Sequence, residues 1–331
     1  MLYRTLGTPA LKVSALGIGC MPMMQGGNIA YGNADPDEAV KTIHGAIDLG
    51  VTLFDTAEIY GPFDNEELVG AAIKGKRDGL VIATKFGFRF EGKKITGVDC
   101  SPANARRAVE GSLMRLGIDV IDLYYAHRVD PAVPIEDTVG ALADLVAEGK
   151  IRHIGLSEAA PDTLRRAASV APITALQSEY SLWEREVESE ILPTCRALGI
   201  GFVPYSPLGR GFLTGAVTSR DQFESGDYRL NDPRMSAENF DRNLELVAIV
   251  RGIADKHGVS PAQIALAWLL AQGDDIVPIP GTKRRATMED SVAAVNVALD
   301  ADDLATLDKA APVGGTAGTR YTEAGMKMVR L

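Results

Sequence analysis

The sequence predicts a single α/β domain over residues 1–331, a (β/α)8 TIM barrel, and three observations carry that prediction. Short β-branched runs recur eight times, each followed by a longer stretch with helical spacing of its apolar residues. No two of these runs are joined by a turn of hairpin length, so neighbouring strands must pair in parallel through crossovers. No shift in composition marks a boundary along the 331 residues, which are 46% hydrophobic and 24% charged. Barrels of this class commonly run to ~250 residues or more as one domain.

The elements follow in order. A hairpin of 3–6 and 11–13 around 7–9 comes first and is placed to plug the barrel floor. Strands are predicted over 15–20, 52–55, 80–85, 120–127, 151–157, 175–179, 201–206 and 276–280. Helices are predicted over 36–49, 65–74, 102–116, 135–147, 161–168, 187–198, 261–271 and 286–297. Asp35 and Ser101 stand as caps before Pro36 and Pro102, with proline at the first helical position. Two connections, 21–33 and 207 to about 238, are too long to be mere links, and long loops after barrel strands lie on the face where active sites are built. The tail beyond Pro312 is long enough to fold over that face as well.

Composition removes several function classes. Lys+Arg 34 against Asp+Glu 44 gives a net charge of −10, which disfavours nucleic acid and anionic membrane as partners. Cys20, Cys100 and Cys195 are scattered, with the spacing of neither a zinc site nor a redox pair. The N-terminus lacks a secretory apolar region, and no apolar run approaches the ~20 residues that span a bilayer. The expectation is a soluble, reduced, cytoplasmic protein without a metal; its oligomeric state has no signature in the sequence.

Side chains alternate faces along a strand. Val51, Leu53 and Asp55 are predicted to share one face, as are Val81, Ala83 and Lys85, and Leu123, Tyr125 and His127. Ser157, Gln177 and Tyr205 end the next three strands in the same way. Polar groups confined to the last layer of an apolar interior mark the catalytic face. Asp55, Lys85 and His127 then converge, with Tyr60 on the loop that follows Asp55. A lysine ammonium beside a phenol stabilises the phenolate and lowers its pKa from ~10. Asp55 keeps the lysine charged, and His127 can donate to a substrate oxygen. Such a quartet suits protonation of a carbonyl oxygen as hydride reaches the carbon.

The motifs DTAEIYG (55–61), IATKFG (82–87), IDLYYAHRVD (121–130), IGLSEA (154–159), VPYSPLGRGFLTG (203–215) and VPIPGTKR (277–284) resemble the aldo-keto reductase superfamily, in its order and over essentially the whole chain. The terminal Arg320-Tyr321 segment is most similar to the branch of bacterial, fungal and plant aldehyde and ketone reductases. The resemblance implies an NADP(H)-dependent oxidoreductase that reduces a small-molecule aldehyde or ketone, with NADPH/NADP+ as cofactor. It assigns Tyr60 as general acid, Lys85 and Asp55 as the pair that lowers its pKa, and His127 as the donor that orients the carbonyl.

For the cofactor, the resemblance places Tyr205 against the nicotinamide ring and Ser157, Glu158 and Gln177 at its carboxamide. Ser206, Leu208, Gly209 and Gly211 match the loop around the pyrophosphate, where glycine lets backbone N–H groups approach. Gly281, Thr282, Lys283 and Arg284 precede a helix, a favourable place for the 2′-phosphate. Asp290 and Ser291 replace the family's usual Glu-Asn at adenine, and Glu158 replaces a common asparagine. The substrate mouth is expected to be lined by Met21, Met23, Met24, Tyr31, Phe86, Tyr125, Arg128 and Trp183, with Arg210, Arg320 and Tyr321 at the rim.

Rival readings are weaker. Residues 70–77 (GAAIKGKR) approach a P-loop but end in arginine, and residues 17–22 lack the third glycine of a dinucleotide fingerprint. Residues 155–159 (GLSEA) resemble a nucleophile elbow around Ser157, yet the only later histidine, His257, closes a helix. The alternative from outside enzymology is a nicotinamide-cofactor-binding sensor or regulatory subunit with little turnover.

Overall fold

A computed structural model describes residues 1–8, 10–24, 33–223 and 226–331. The chain opens with the antiparallel hairpin β1 (Tyr3–Leu6) and β2 (Leu11–Ser14), registered Leu6 on Leu11 and Tyr3 on Ser14. β3 (Ile18–Gly19), β4 (Leu53–Asp55) and β5 (Val81–Phe86) follow, then a second hairpin of β6 (Phe88–Glu91) and β7 (Lys94–Val98) that the sequence reading missed. β8 (Ile121–Ala126), β9 (Ile151–Ser157), β10 (Ile173–Glu179) and β11 (Gly201–Tyr205) complete the strands. Seven of them form one parallel sheet in the order β11-β10-β9-β8-β5-β4-β3. That sheet curls into the predicted barrel.

The expected eighth strand is the instructive difference. Residues 276–281 lie between β11 and β3 and close the ring, but only through isolated bridges, Phe202 with Ile276 and Gly19 with Gly281. Val277 and Ile279 donate to the carbonyls of Phe202 and Pro204 at 2.9 and 3.0 Å. On the other side Gly17 and Gly19 donate to Pro278 and Pro280 at 3.0 and 3.1 Å. Proline has no N–H to return. Every amide hydrogen bond across the 278–280 seam therefore runs one way.

Two apolar layers result from the alternation. Leu53, Val81, Ala83, Leu123, Tyr125, Ala175, Val203, Val277 and Ile279 fill the barrel, and Leu6, Leu11 and Val13 of the first hairpin close its floor. Arg4 ties that plug down by donating to the carbonyls of Leu270, Gly273 and Ile276. A larger layer lies between the strands and the helices. Val51, expected inward, belongs to that outer layer, because it precedes β4 rather than lying in it.

Gly155 makes room for the barrel's bulkiest interior side chain. A Cβ there would fall inside the Tyr125 ring. Gly155→Ala is expected to cost about 1–3 kcal/mol of stability by overpacking, read as a lower denaturation midpoint in urea. An unchanged midpoint would mean that the interior yields.

The helices are α1 (Pro36–Asp48), α2 (Asp64–Ile73), α3 (Pro102–Leu116), α4 (Ile135–Ala147), α5 (Pro161–Ala168), α6 (Ile191–Leu198), α7 (Phe240–His257), α8 (Pro261–Ala271), α9 (Arg285–Ala293), α10 (Ala301–Ala310) and α11 (Glu323–Met326). Asp35 caps α1 by accepting the Asp37 and Glu38 amides, and Ser101 caps α3 by accepting that of Asn104. Four 3-10 turns fill much of the stretch expected to be a long loop after β11, and α7 follows them. No helix among the described residues is long and apolar enough to cross a membrane. All three cysteines are buried and free.

Candidate active site

The strand ends deliver three of the four expected groups. Asp55 is the last residue of β4, Lys85 the penultimate residue of β5, and His127 directly follows β8. Tyr60 comes from the turn before α2, where its N–H donates to Ala57 O at 3.1 Å and its C=O accepts the Asn65 amide at 3.2 Å. The fully buried Lys85 ammonium pairs with Asp55 and donates to Thr56 O at 2.8 Å and to the Tyr60 hydroxyl at 3.3 Å. Gln177 Nε2 holds the second Asp55 oxygen at 2.8 Å. The His127 ring meets Tyr60 edge-on, with centroids 5.9 Å apart, and Phe88 at 5.2 Å.

Burial sets the electrostatics. It opposes the charge on Lys85, but Asp55 more than compensates and keeps the ammonium protonated above its ordinary range. Burial pushes the His127 imidazolium well down, helped by Arg128 and Lys85, so the ring is neutral. Its Nδ1 is buried with no hydrogen-bond partner among the described residues. The expectation that Lys85 brings the Tyr60 phenol below its usual value needs correction. Lys85 does pull it down, but burial is the larger effect and the net direction is up.

Glu58 was not singled out in the sequence. Its buried carboxyl, pushed up to about 7 by burial, accepts the Gly87 and Phe88 amides at 3.1 and 3.4 Å. It thereby pins the Tyr60 turn to the start of β6, where Phe88 packs against His127. No group of three or more His, Cys, Asp or Glu able to hold a metal occurs among the described residues.

The sequence profile described as the Aldo/keto reductase family matches residues 15–312. The chain belongs to the aldo/keto reductase family. It is 47% identical to the Glycine max protein named "Probable aldo-keto reductase 1" over 96% of this chain and 90% of that one. A glycerol dehydrogenase from Gluconobacter oxydans superposes with a TM-score of 0.85 at 30% identity, covering 93% of this chain and 94% of its own. A holo aldo-keto reductase from Bacillus halodurans superposes at 0.76 and 29% identity, covering 94% and 96%. Members are oxidoreductases that reduce carbonyl compounds and generally use nicotinamide cofactors.

In this aldo-keto reductase, many of the residues expected at the cofactor fall on two stretches, the turn after β11 and the residues that lead into α9. Ser206, Gly209, Arg210 and Gly211 all take left-handed backbone conformations, with φ of 48°, 56°, 58° and 88°. Together with Leu208 they form a sharply curved turn. Such a succession of amides suits an anion. Gly209 is required there twice over, because a Cβ would lie 2.6 Å from Trp183 Nε1. Gly281 adjoins Gly19 on the ring, and Thr282 accepts the Arg284 amide at 3.3 Å at the start of α9. Arg284, the N-cap of α9, makes no side-chain cap bond, although Glu38 already takes the Arg285 amide at 3.0 Å. Lys283 Nζ reaches Asn33 O at 2.9 Å. This curved loop and cationic helix entrance fit a ligand carrying phosphates.

Other expected contacts are spent elsewhere. Asp290 binds Ser260 and Gln263, both at 2.8 Å, and so braces the start of α8, while Ser291 is buried. Glu158 stands at a φ of 57°. One of its oxygens receives Ser178, the Glu179 amide, Tyr205 OH at 2.8 Å and Arg320 at 2.8 Å. The other receives Arg320 at 2.6 Å, completing a two-pronged ion pair. Tyr321 OH lies 2.7 Å from Tyr205 OH, and Leu331 N–H donates to Glu158 O at 3.3 Å. The tail does fold over the catalytic face.

Several residues expected at the mouth are placed elsewhere. Phe86 is fully buried and stacks on Tyr124 at 5.1 Å in the outer layer, because it alternates with the inward Lys85. Trp183 is sandwiched between Phe212, 4.6 Å away, and the Arg234 guanidinium, 4.6 Å from its ring. Both are therefore removed from the substrate lining. Met23, Met24 and Tyr125 are buried, and Arg210 pairs with Asp232. Met21 and Arg128 remain half-buried. Tyr31 lies outside the described residues.

Proposed function

We propose that this chain reduces aldehydes or ketones to alcohols with NADPH, using Tyr60 as the proton donor. The observation that carries the reading is the single Lys85 ammonium in contact with both Asp55 and the Tyr60 hydroxyl, beside a neutral His127. NADPH, when bound, supplies the hydride to the carbonyl carbon. His127 orients the carbonyl oxygen by hydrogen bonding. Tyr60 gives its proton to that oxygen, and Lys85 stabilises the phenolate left behind. An alkoxide is a far stronger base than a phenolate, so transfer is downhill even from a phenol raised by burial.

Tyr205 would carry the nicotinamide ring, with Ser157 and Gln177 around its carboxamide, while Glu158, held by Arg320, would fix Tyr205 through its hydroxyl. Ser206, Leu208, Gly209 and Gly211 would wrap the pyrophosphate. Gly281, Thr282, Lys283 and Arg284 would take the 2′-phosphate. The test is NADPH oxidation with an aromatic aldehyde. Turnover supports the reductase reading, whereas tight NADPH binding without turnover would favour a sensor. Lys283→Ala combined with Arg284→Ala is expected to raise the Kd for NADPH about 10–100-fold and leave that for NADH within about threefold. Equal shifts would separate these residues from the 2′-phosphate.

A further inference from the structure

Arg128 differs from the three arginines that the loop after β11 and the tail bring to the barrel mouth. Arg210 pairs with Asp232, Arg234 with Glu179 at 2.7 Å, and Arg320 with Glu158 at 2.6 Å. Arg128 forms no ion pair with a carboxylate among the described residues. Its Nη1 donates to His127 O at 2.7 Å and to Ser157 Oγ at 3.4 Å. A guanidinium carries five N–H donors in a planar fork, and these two contacts leave most of them unused. Glu158 is the nearby acid, but its oxygens are already taken by Arg320, Ser178, Tyr205 and the Glu179 amide.

The position of this cation gives it meaning. It follows His127 directly in the chain, and the phenols of Tyr60, Tyr205 and Tyr321 are among the groups that feel its charge. A chain with a net charge of −10 repels anions in general. Retaining an anion at this mouth takes a dedicated positive group, and a guanidinium fork matches a carboxylate in two hydrogen bonds. We infer that Arg128 selects carbonyl substrates that carry a carboxylate, and that it receives that carboxylate while His127 and Tyr60 face the carbonyl. This rests on the reductase reading and narrows it to one substrate class.

The test compares 4-carboxybenzaldehyde with its methyl ester, which is similar in size and electronics but neutral. Wild-type kcat/KM should favour the acid by about tenfold or more, mainly through KM. Added salt should erode the rate on the acid and spare the ester. In Arg128→Leu the ratio should fall to about one, and Arg128→Lys should restore part of it. A wild-type ratio near one, or a preference that survives in Arg128→Leu, overturns the inference. The wild-type ratio and its salt dependence decide the matter even where the variant does not fold.

A second arm is independent of turnover. Terephthalate, which cannot be reduced, should bind the wild type about tenfold more tightly than Arg128→Leu in calorimetry. Equal affinities would remove the carboxylate site. If neither aldehyde is consumed while terephthalate still discriminates, the reductase reading fails and the anion site stands.

Discussion

Tyr60→Phe is expected to lower kcat by about 10²–10⁴-fold, the range that one positioned proton donor contributes. NADPH affinity and the unfolding midpoint should stay close to wild type. The reason lies in what Lys85 keeps: without the phenol it still pairs with Asp55 and still donates to Thr56 O at 2.8 Å. The buried charge therefore remains compensated. Because the lost interaction belongs to the transition state, kcat and kcat/KM should fall together. The pH profile adds a second reading. The phenol is raised above its ordinary range and His127 is held well below its own, so neither group should put a step into the wild-type profile near neutral pH. Near-normal turnover in Tyr60→Phe would remove Tyr60 as the donor.

Arg320→Leu should destabilise the fold by about 3–5 kcal/mol, because it leaves a fully buried carboxylate without its partner. Arg320 and Glu158 are both almost wholly inaccessible and meet through two hydrogen bonds. Glu158→Gln in the same chain should recover a good part of the loss, since an amide there carries no charge and can still accept from Ser178 and Tyr205. Urea unfolding measures both.

The pH dependence follows from the direction of the Glu158 shift. Burial pushes that carboxyl up, but Arg320 and its hydrogen bonds win and hold it below the usual range. A depressed folded pKa means that the wild-type contribution is complete above the unfolded value of ~4.3 and is lost as pH falls through the lower folded value. In Arg320→Leu burial acts without that opponent and the carboxyl moves up, so the variant regains stability on acidification. The gap between the two proteins should narrow from pH 7 towards pH 4.5. A gap that stays constant would mean that Glu158 is not left charged and alone.

These cases mark how far the sequence could be read. The period-two pattern gave 151–157 its limits and brought Asp55, Lys85, His127, Ser157, Gln177 and Tyr205 to one end of the barrel, because burial on both faces leaves little freedom in register. The same alternation should have sent Phe86 outward. One period places Lys85 inward and Phe86 against Tyr124 in the outer layer, away from any substrate. Residues 276–280 read as a strand by composition, yet Pro278 and Pro280 withdraw the amides a ladder needs. The Glu158–Arg320 pair spans 162 positions, and no local pattern announces a contact that only the returning tail creates. The place of Trp183 is illegible for a related reason: its neighbours Phe212 and Arg234 lie on the loop after β11, whose path is set by tertiary packing.

The one-way hydrogen bonding beside Pro278 and Pro280 gives the ring a latch. Seven strands pair side by side from β11 to β3, with one register shift where β10 meets β9 between Ile173 and Ala175. Residues 278–280 are held to the β3 side by donations from Gly17 and Gly19 alone. Mechanically the barrel is a wound ribbon clasped along one edge rather than a hoop of equal staves. The clasp lies beside Gly281 and the entrance to α9, whereas Asp55, Lys85 and His127 stand at the ends of β4, β5 and β8, well inside the ribbon.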